Sequence, residues 1–146
     1  MTSILIKDGR VIDPARNLDG TYDVLLDQGL IKAVENSGTI SEADQVIEAF
    51  GFWVLPGLID MHVHFREPGY EYKETVASGA RAAAAGGFTG VVTMPNTSPA
   101  IDNAQEVGMV IERARAAGAS RVWPAATMTN ASLILENPSS SCIESM

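Results

Sequence analysis

From residue 57 to residue 123 the chain alternates short apolar runs with longer helix-forming stretches, and this alternation constrains its fold more than any other feature. Residues 58–64 and 88–94 read as strands, and Arg121-Val122-Trp123 opens a third. Between the first two, residues 74–85 are Ala-rich and favour a helix. Gly86-Gly87 can end that helix in a left-handed cap. Asp102 can cap a second helix over 103–117, which Gly118 closes. The order β-α-β-α-β, with elements of these lengths, predicts an α/β architecture with parallel strands.

Ahead of Pro56-Gly57 the rhythm differs. Ile4-Leu5-Ile6, Asp8-Gly9 and Val11-Ile12 suggest a hairpin. Residues 22–27 end in Gln28-Gly29, and 30–34 are set to pair back on them. Residues 46–49 and 52–55 add two further strands, and Gly or Pro punctuates the whole segment as in a small all-β unit. Three segments follow: a β-rich 1–55, an α/β 56–129, and a tail 130–146. The last 25 residues hold no Lys, Arg or Gly but five of the eleven serines, so the chain is expected to stop following its own fold near Met128.

With 146 residues the chain is long enough to bury a core without crosslinks. A formal charge of −8 and the lack of a basic block disfavour binding to nucleic acid or to an anionic membrane surface. The single Cys142 allows no internal disulfide and no thiolate metal cluster, which fits a reducing, cytoplasmic setting. No signal-peptide pattern stands at the N-terminus, and no apolar run approaches the roughly 20 residues of a membrane span.

Chemistry concentrates in Asp60-Met61-His62-Val63-His64, which contains both histidines of the chain. On a strand, residues two apart share a face, so Asp60, His62 and His64 are expected to project together. Two neutral imidazoles side by side are a natural pair of zinc ligands, and a catalytic zinc commonly has three protein ligands plus water. Asp60 fits the role of orienting a histidine. Glu67, Glu71 and Glu74 read as solvated charge or first-turn acids.

A second group, Thr93-Met94-Pro95-Asn96-Thr97-Ser98-Pro99, follows the next strand. Asn96 offers amide donors and an acceptor, and Arg66 offers a planar fork suited to a carboxylate. Together they could hold an anionic, amide-bearing substrate. Asn96 in an Asx turn, and Arg66 in a surface ion pair with Glu67 or Glu71, are the structural alternatives. Gly86-Gly87 with Gly90 lacks the order of a phosphate loop. Trp53 and Trp123 read as core aromatics. Arg113 and Arg115, with Glu106 and Glu112, read as a solvated helix face.

The string from Pro56 to Gly69 (PGLIDMHVHFREPG), the run Ala82 to Thr89 (AAAAGGFT) and Met94-Pro95-Asn96-Thr97 strongly resemble dihydroorotases of the amidohydrolase superfamily. The likeness extends from about Ile4 to about Thr129. It implies a metal-dependent (β/α)₈ barrel with a small β-sandwich, of which this chain holds only the first part, since a complete barrel needs about 250 residues. It implies zinc held in part by His62 and His64, and Arg66 and Asn96 on the carboxylate of dihydroorotate or N-carbamoyl-L-aspartate. The implied reaction is the reversible opening of a cyclic amide in pyrimidine synthesis. Aspartate carbamoyltransferase and further copies of the chain are the implied partners.

The family's remaining metal ligands and its catalytic aspartate lie further along the barrel, so a truncated or frame-shifted chain that is inactive alone is expected. Two other readings stay open. One is a non-catalytic partner of aspartate carbamoyltransferase, disfavoured by the retained His62 and His64. The other is an allantoinase or hydantoinase relative, disfavoured by Arg66 and Asn96.

Overall fold

The computed structural model describes residues 2–127 and the backbone of 142–144. Most of the tail expected to diverge from residue 130 onward lies outside the described residues. The chain divides into two units, Met1–Pro56 and Gly57–Met146.

The first unit is a five-stranded sheet. Strands β1 (Ile4–Asp13), β2 (Leu18–Asp27) and β3 (Leu30–Asn36) pair antiparallel in sequence. β4 (Gln45–Glu48) and β5 (Trp53–Val54) both run parallel to β1 along its other edge. The hairpin expected at Asp8-Gly9 is absent, because β1 runs through as one strand with a bulge between Ile6 and Gly9. Asp8 takes the left-handed conformation at φ 59°. The buried Asp23 carboxylate accepts its N–H at 3.0 Å and that of Gly38 at 2.8 Å. A side chain fifteen residues away therefore satisfies the bulge, and the strand needs no turn.

The expected turn at Gln28-Gly29 does form. Both residues have positive φ (52° and 78°) between the paired Asp27 and Leu30, the signature of a type I′ hairpin. Leu5, Val11, Val24 and Ala49 are buried in this unit. Trp53 is 67% exposed, contrary to its reading as a core residue.

The second unit alternates β6 (Leu58–Val63), α1 (Val76–Ala85), β7 (Phe88–Thr93), α2 (Ala104–Ala117) and β8 (Arg121–Thr127). β6, β7 and β8 are parallel, and β9 (Cys142–Glu144) adds an antiparallel neighbour to β8, so the sheet is mixed. α1 starts at a reciprocal capping box between Thr75 and Ser78. α2 is capped by Asn103, not Asp102, because the Asn103 side-chain oxygen Oδ1 accepts from the N–H groups of Gln105 and Glu106. Gly118 ends α2 at φ 59°.

Phe65, Val76, Ala80, Val91, Ile101, Val110, Ala114 and Val122 form one buried cluster joining helices to sheet. Trp123 stays 40% exposed, and its ring lies over Gly90, where a Cβ would collide with it. Gly90→Val is expected to destabilise the chain by about 1–3 kcal/mol through overpacking. Gly108, in mid-α2, has open space at its Cβ position. Gly108→Ala is expected to stabilise by about 0.5–1 kcal/mol. Urea unfolding midpoints followed by tryptophan emission check both signs.

Candidate active site

The two histidines come together where β6 ends. His62 lies within the strand and His64 one residue beyond it, and their rings stand edge to face with centroids 5.1 Å apart. The β6–β7 register shifts between Asp60 and Val63, so strict alternation fails just where the histidines fall. Asp60 is accordingly used differently from expectation. Its carboxylate accepts the backbone N–H of His62 at 2.9 Å, which steadies the main chain rather than an imidazole.

Asn96 arrives from the next strand. Met94 N–H donates to the Val63 carbonyl at 2.9 Å, setting the loop after β7 beside the end of β6. Asn96 Oδ1 then lies 2.8 Å from His64 Nδ1. The structure thus brings His62, His64 and Asn96 together. Arg66 sits half-buried two residues past His64. Neither ion pair considered for it forms, because Glu67 pairs with Arg113 and Glu71 accepts from Gly69 N–H at 2.9 Å. That N–H bond holds the Glu71 carboxyl below its ordinary pKa.

A cavity of about 260 Å³ runs between β6 and α1, from Phe88 and Gly86 near the start of β6 to His64 and Glu74 beyond its end. A larger cavity, about 460 Å³, lies by Arg115 and Arg121 at the α2–β8 turn, the end of the parallel sheet opposite the histidines.

The ring spacing of the imidazole pair is compatible with two ligands of one metal ion. Nitrogens about 2.0–2.1 Å from one tetrahedral zinc put their ring centroids about 5 Å apart. The spacing seen is 5.1 Å. Among the described residues no three His, Cys, Asp or Glu side chains converge as a metal-binding group, so the pair supplies two donors and not a closed set.

A family model described as Dihydro-orotase-like matches residues 51–136, more than half of the chain. The chain belongs to the dihydro-orotase-like family. Among curated relatives, a dihydroorotase of Trichlorobacter lovleyi is 51% identical over 87% of this chain and 30% of its own length. One from Aquifex aeolicus is 46% identical over 88% of this chain and 30% of its own length. The chain therefore spans about 30% of the length of these relatives. Among solved structures, the L-hydantoinase (dihydropyrimidinase) of Arthrobacter aurescens superposes with a TM-score of 0.65 at 25% identity. That match covers 78% of this chain and 25% of the hydantoinase. No helix among the described residues is long and apolar enough to cross a membrane.

Glu67, read from sequence as solvated charge or a first-turn acid, is only 9% exposed and does serve the start of a helix. One carboxylate oxygen accepts Val76 N–H at 2.7 Å, at the first residue of α1. The other pairs with Arg113 of α2. The local signal was an acid just ahead of a helix start, where backbone N–H groups lack partners. Its other partner is 46 residues away and invisible to local patterning.

Glu67→Ala is expected to cost about 1–3 kcal/mol, chiefly by leaving the buried Val76 N–H without its acceptor. Glu67→Gln, which retains an acceptor for Val76 N–H, is expected to cost less. A double-mutant cycle with Arg113→Met in urea denaturation should show positive coupling between the two residues.

Proposed function

We propose that this chain carries the zinc-binding strand and the carboxylate-binding residues of a dihydroorotase. In this reading the units described above are the β-rich segment and the first strands and helices of a (β/α)₈ barrel. The single observation that carries the proposal is the meeting of His62, His64 and Asn96 at adjacent strand ends, in a chain about half identical to curated dihydroorotases.

His62 and His64 would hold zinc, and the bound ion would supply Lewis acidity that acidifies water and polarises the scissile amide carbonyl. Arg66 and the amide of Asn96 bind and orient the carboxylate that dihydroorotate and N-carbamoyl-L-aspartate share. A guanidinium fork suits that group in charge and geometry.

Proton transfer requires a positioned acid or base, and no residue of this chain is assigned that role. The reading places the chain in cytoplasmic pyrimidine synthesis, acting on a small-molecule substrate. Aspartate carbamoyltransferase and other copies of the chain are its candidate partners.

Two ligands that differ only by the carboxylate test the proposal. In amide NMR titrations of the zinc-loaded chain, dihydroorotate is expected to shift the signals of Arg66 and Asn96. Dihydrouracil is expected to bind at least about tenfold more weakly, the value of one charged hydrogen bond. Equal binding of the two, or no binding of dihydroorotate, overturns the carboxylate assignment. The chain alone is expected not to turn over dihydroorotate, and turnover would show that residues here complete the site.

A further inference from the structure

We propose that Asn96 is a positioning residue for His64, fixing the imidazole tautomer that leaves Nε2 free to bind a metal. The inference rests on the zinc reading above but concerns a bond visible without any metal.

Asn96 Oδ1 stands 2.8 Å from His64 Nδ1. With the amide oxygen on that side the contact is a hydrogen bond only if Nδ1 carries the hydrogen, since a carbonyl oxygen accepts. In the neutral ring Nε2 then holds a lone pair. The alternative tautomer, the one free histidine prefers in water, carries its hydrogen on Nε2. Its bare Nδ1 would face the Asn96 oxygen and repel it, and Nε2 could not ligate. Metal-bound histidines in general have their second nitrogen held by an acceptor, which fixes both tautomer and ring orientation.

The asparagine is itself well held, so the bond is not an accident of a loose side chain. Its loop is fixed at Met94 N–H to the Val63 carbonyl (2.9 Å) and at Ser98 N–H to the Pro68 carbonyl (3.0 Å). Within the loop, Thr97 N–H reaches Pro95 at 2.9 Å and the Thr97 hydroxyl donates to the Pro99 carbonyl at 2.7 Å. The main chain thus brings Asn96 to His64 across 32 residues of sequence.

One consequence concerns the other end of the amide. With Oδ1 engaged, the groups left facing away from His64 are the two Nδ2 hydrogens, and these are donors. A single side chain can thus accept from the metal ligand and donate to a substrate carboxylate. Asn96 also gains a task that an Asx turn would not need.

Imidazole ¹⁵N–¹H correlation spectra of the metal-free chain, at a pH where His64 is neutral, test this directly. Wild type is expected to show His64 as the Nδ1–H tautomer. Asn96→Ala is expected to revert to mainly Nε2–H, and Asn96→Asp, which keeps an acceptor, to restore Nδ1–H. Asn96 is exposed, so neither change threatens the fold. Zinc affinity is expected to fall about 10- to 100-fold in Asn96→Ala and to recover in Asn96→Asp. If His64 stays Nδ1–H in Asn96→Ala, or is Nε2–H in wild type, the inference is overturned even when zinc binds. If the tautomer follows Asn96 but wild type binds no zinc, the hydrogen-bond assignment stands and the zinc reading falls.

Discussion

The site depends on two loops being tied together by main-chain atoms. The loop after β6 carries Arg66, and the loop after β7 carries Asn96. Val63, the last residue of β6, and Pro68 of the first loop accept N–H bonds from Met94 and Ser98 of the second. Gly69 sits at φ 94°, and a Cβ there would collide with the Ser98 carbonyl, so only glycine allows the two loops this close. Because these ties are made by backbone, the placement of Asn96 beside His64 follows from strand register, here Val63 against Thr93. A slip of one residue would turn the side chains to the other face and separate the pair.

That dependence on register explains what the sequence disclosed and what it hid. Strands 58–64 and 88–94, the two helices and the His62–His64 pair were legible because their signals are local: periodicity, caps and spacing two apart. The Gln28-Gly29 turn was legible for the same reason. The hairpin at Asp8-Gly9 was misjudged because the deciding group, the Asp23 carboxylate, is remote in sequence. The burial of Glu67 was missed because its partner Arg113 belongs to another helix. Trp123 was read as core from residue type alone, whereas its ring covers Gly90 and remains partly open to solvent.

The second unit has a well-made core and an unsatisfied edge. The Phe65–Val122 cluster is one continuous buried group. Along β6, by contrast, Leu58, Ile59 and Met61 are 47%, 62% and 67% exposed. Parallel strands are normally covered on both faces, and an exposed apolar edge strand invites pairing with other chains. The end of β6 that bears the histidines is better fixed than its middle. Phe65 is buried against Gly79 of α1 immediately after His64, leaving no room for a larger residue at position 79.

The chain carries a net −8, yet the proposed substrates are anions. Screening over roughly 8 Å at physiological salt makes the distant acids nearly irrelevant, so the charges that count are those close to Arg66. Glu67 is its immediate neighbour in sequence and could cancel it. Instead, the Glu67 carboxylate is turned onto Arg113 and the N-terminus of α1, where a cation and a backbone N–H offset its charge. Glu71, the next acid along the loop, is engaged by Gly69 N–H. Arg66 is thereby left without an internal carboxylate partner among the described residues. An arginine kept available in this way can bind a substrate carboxylate without first breaking an ion pair of its own.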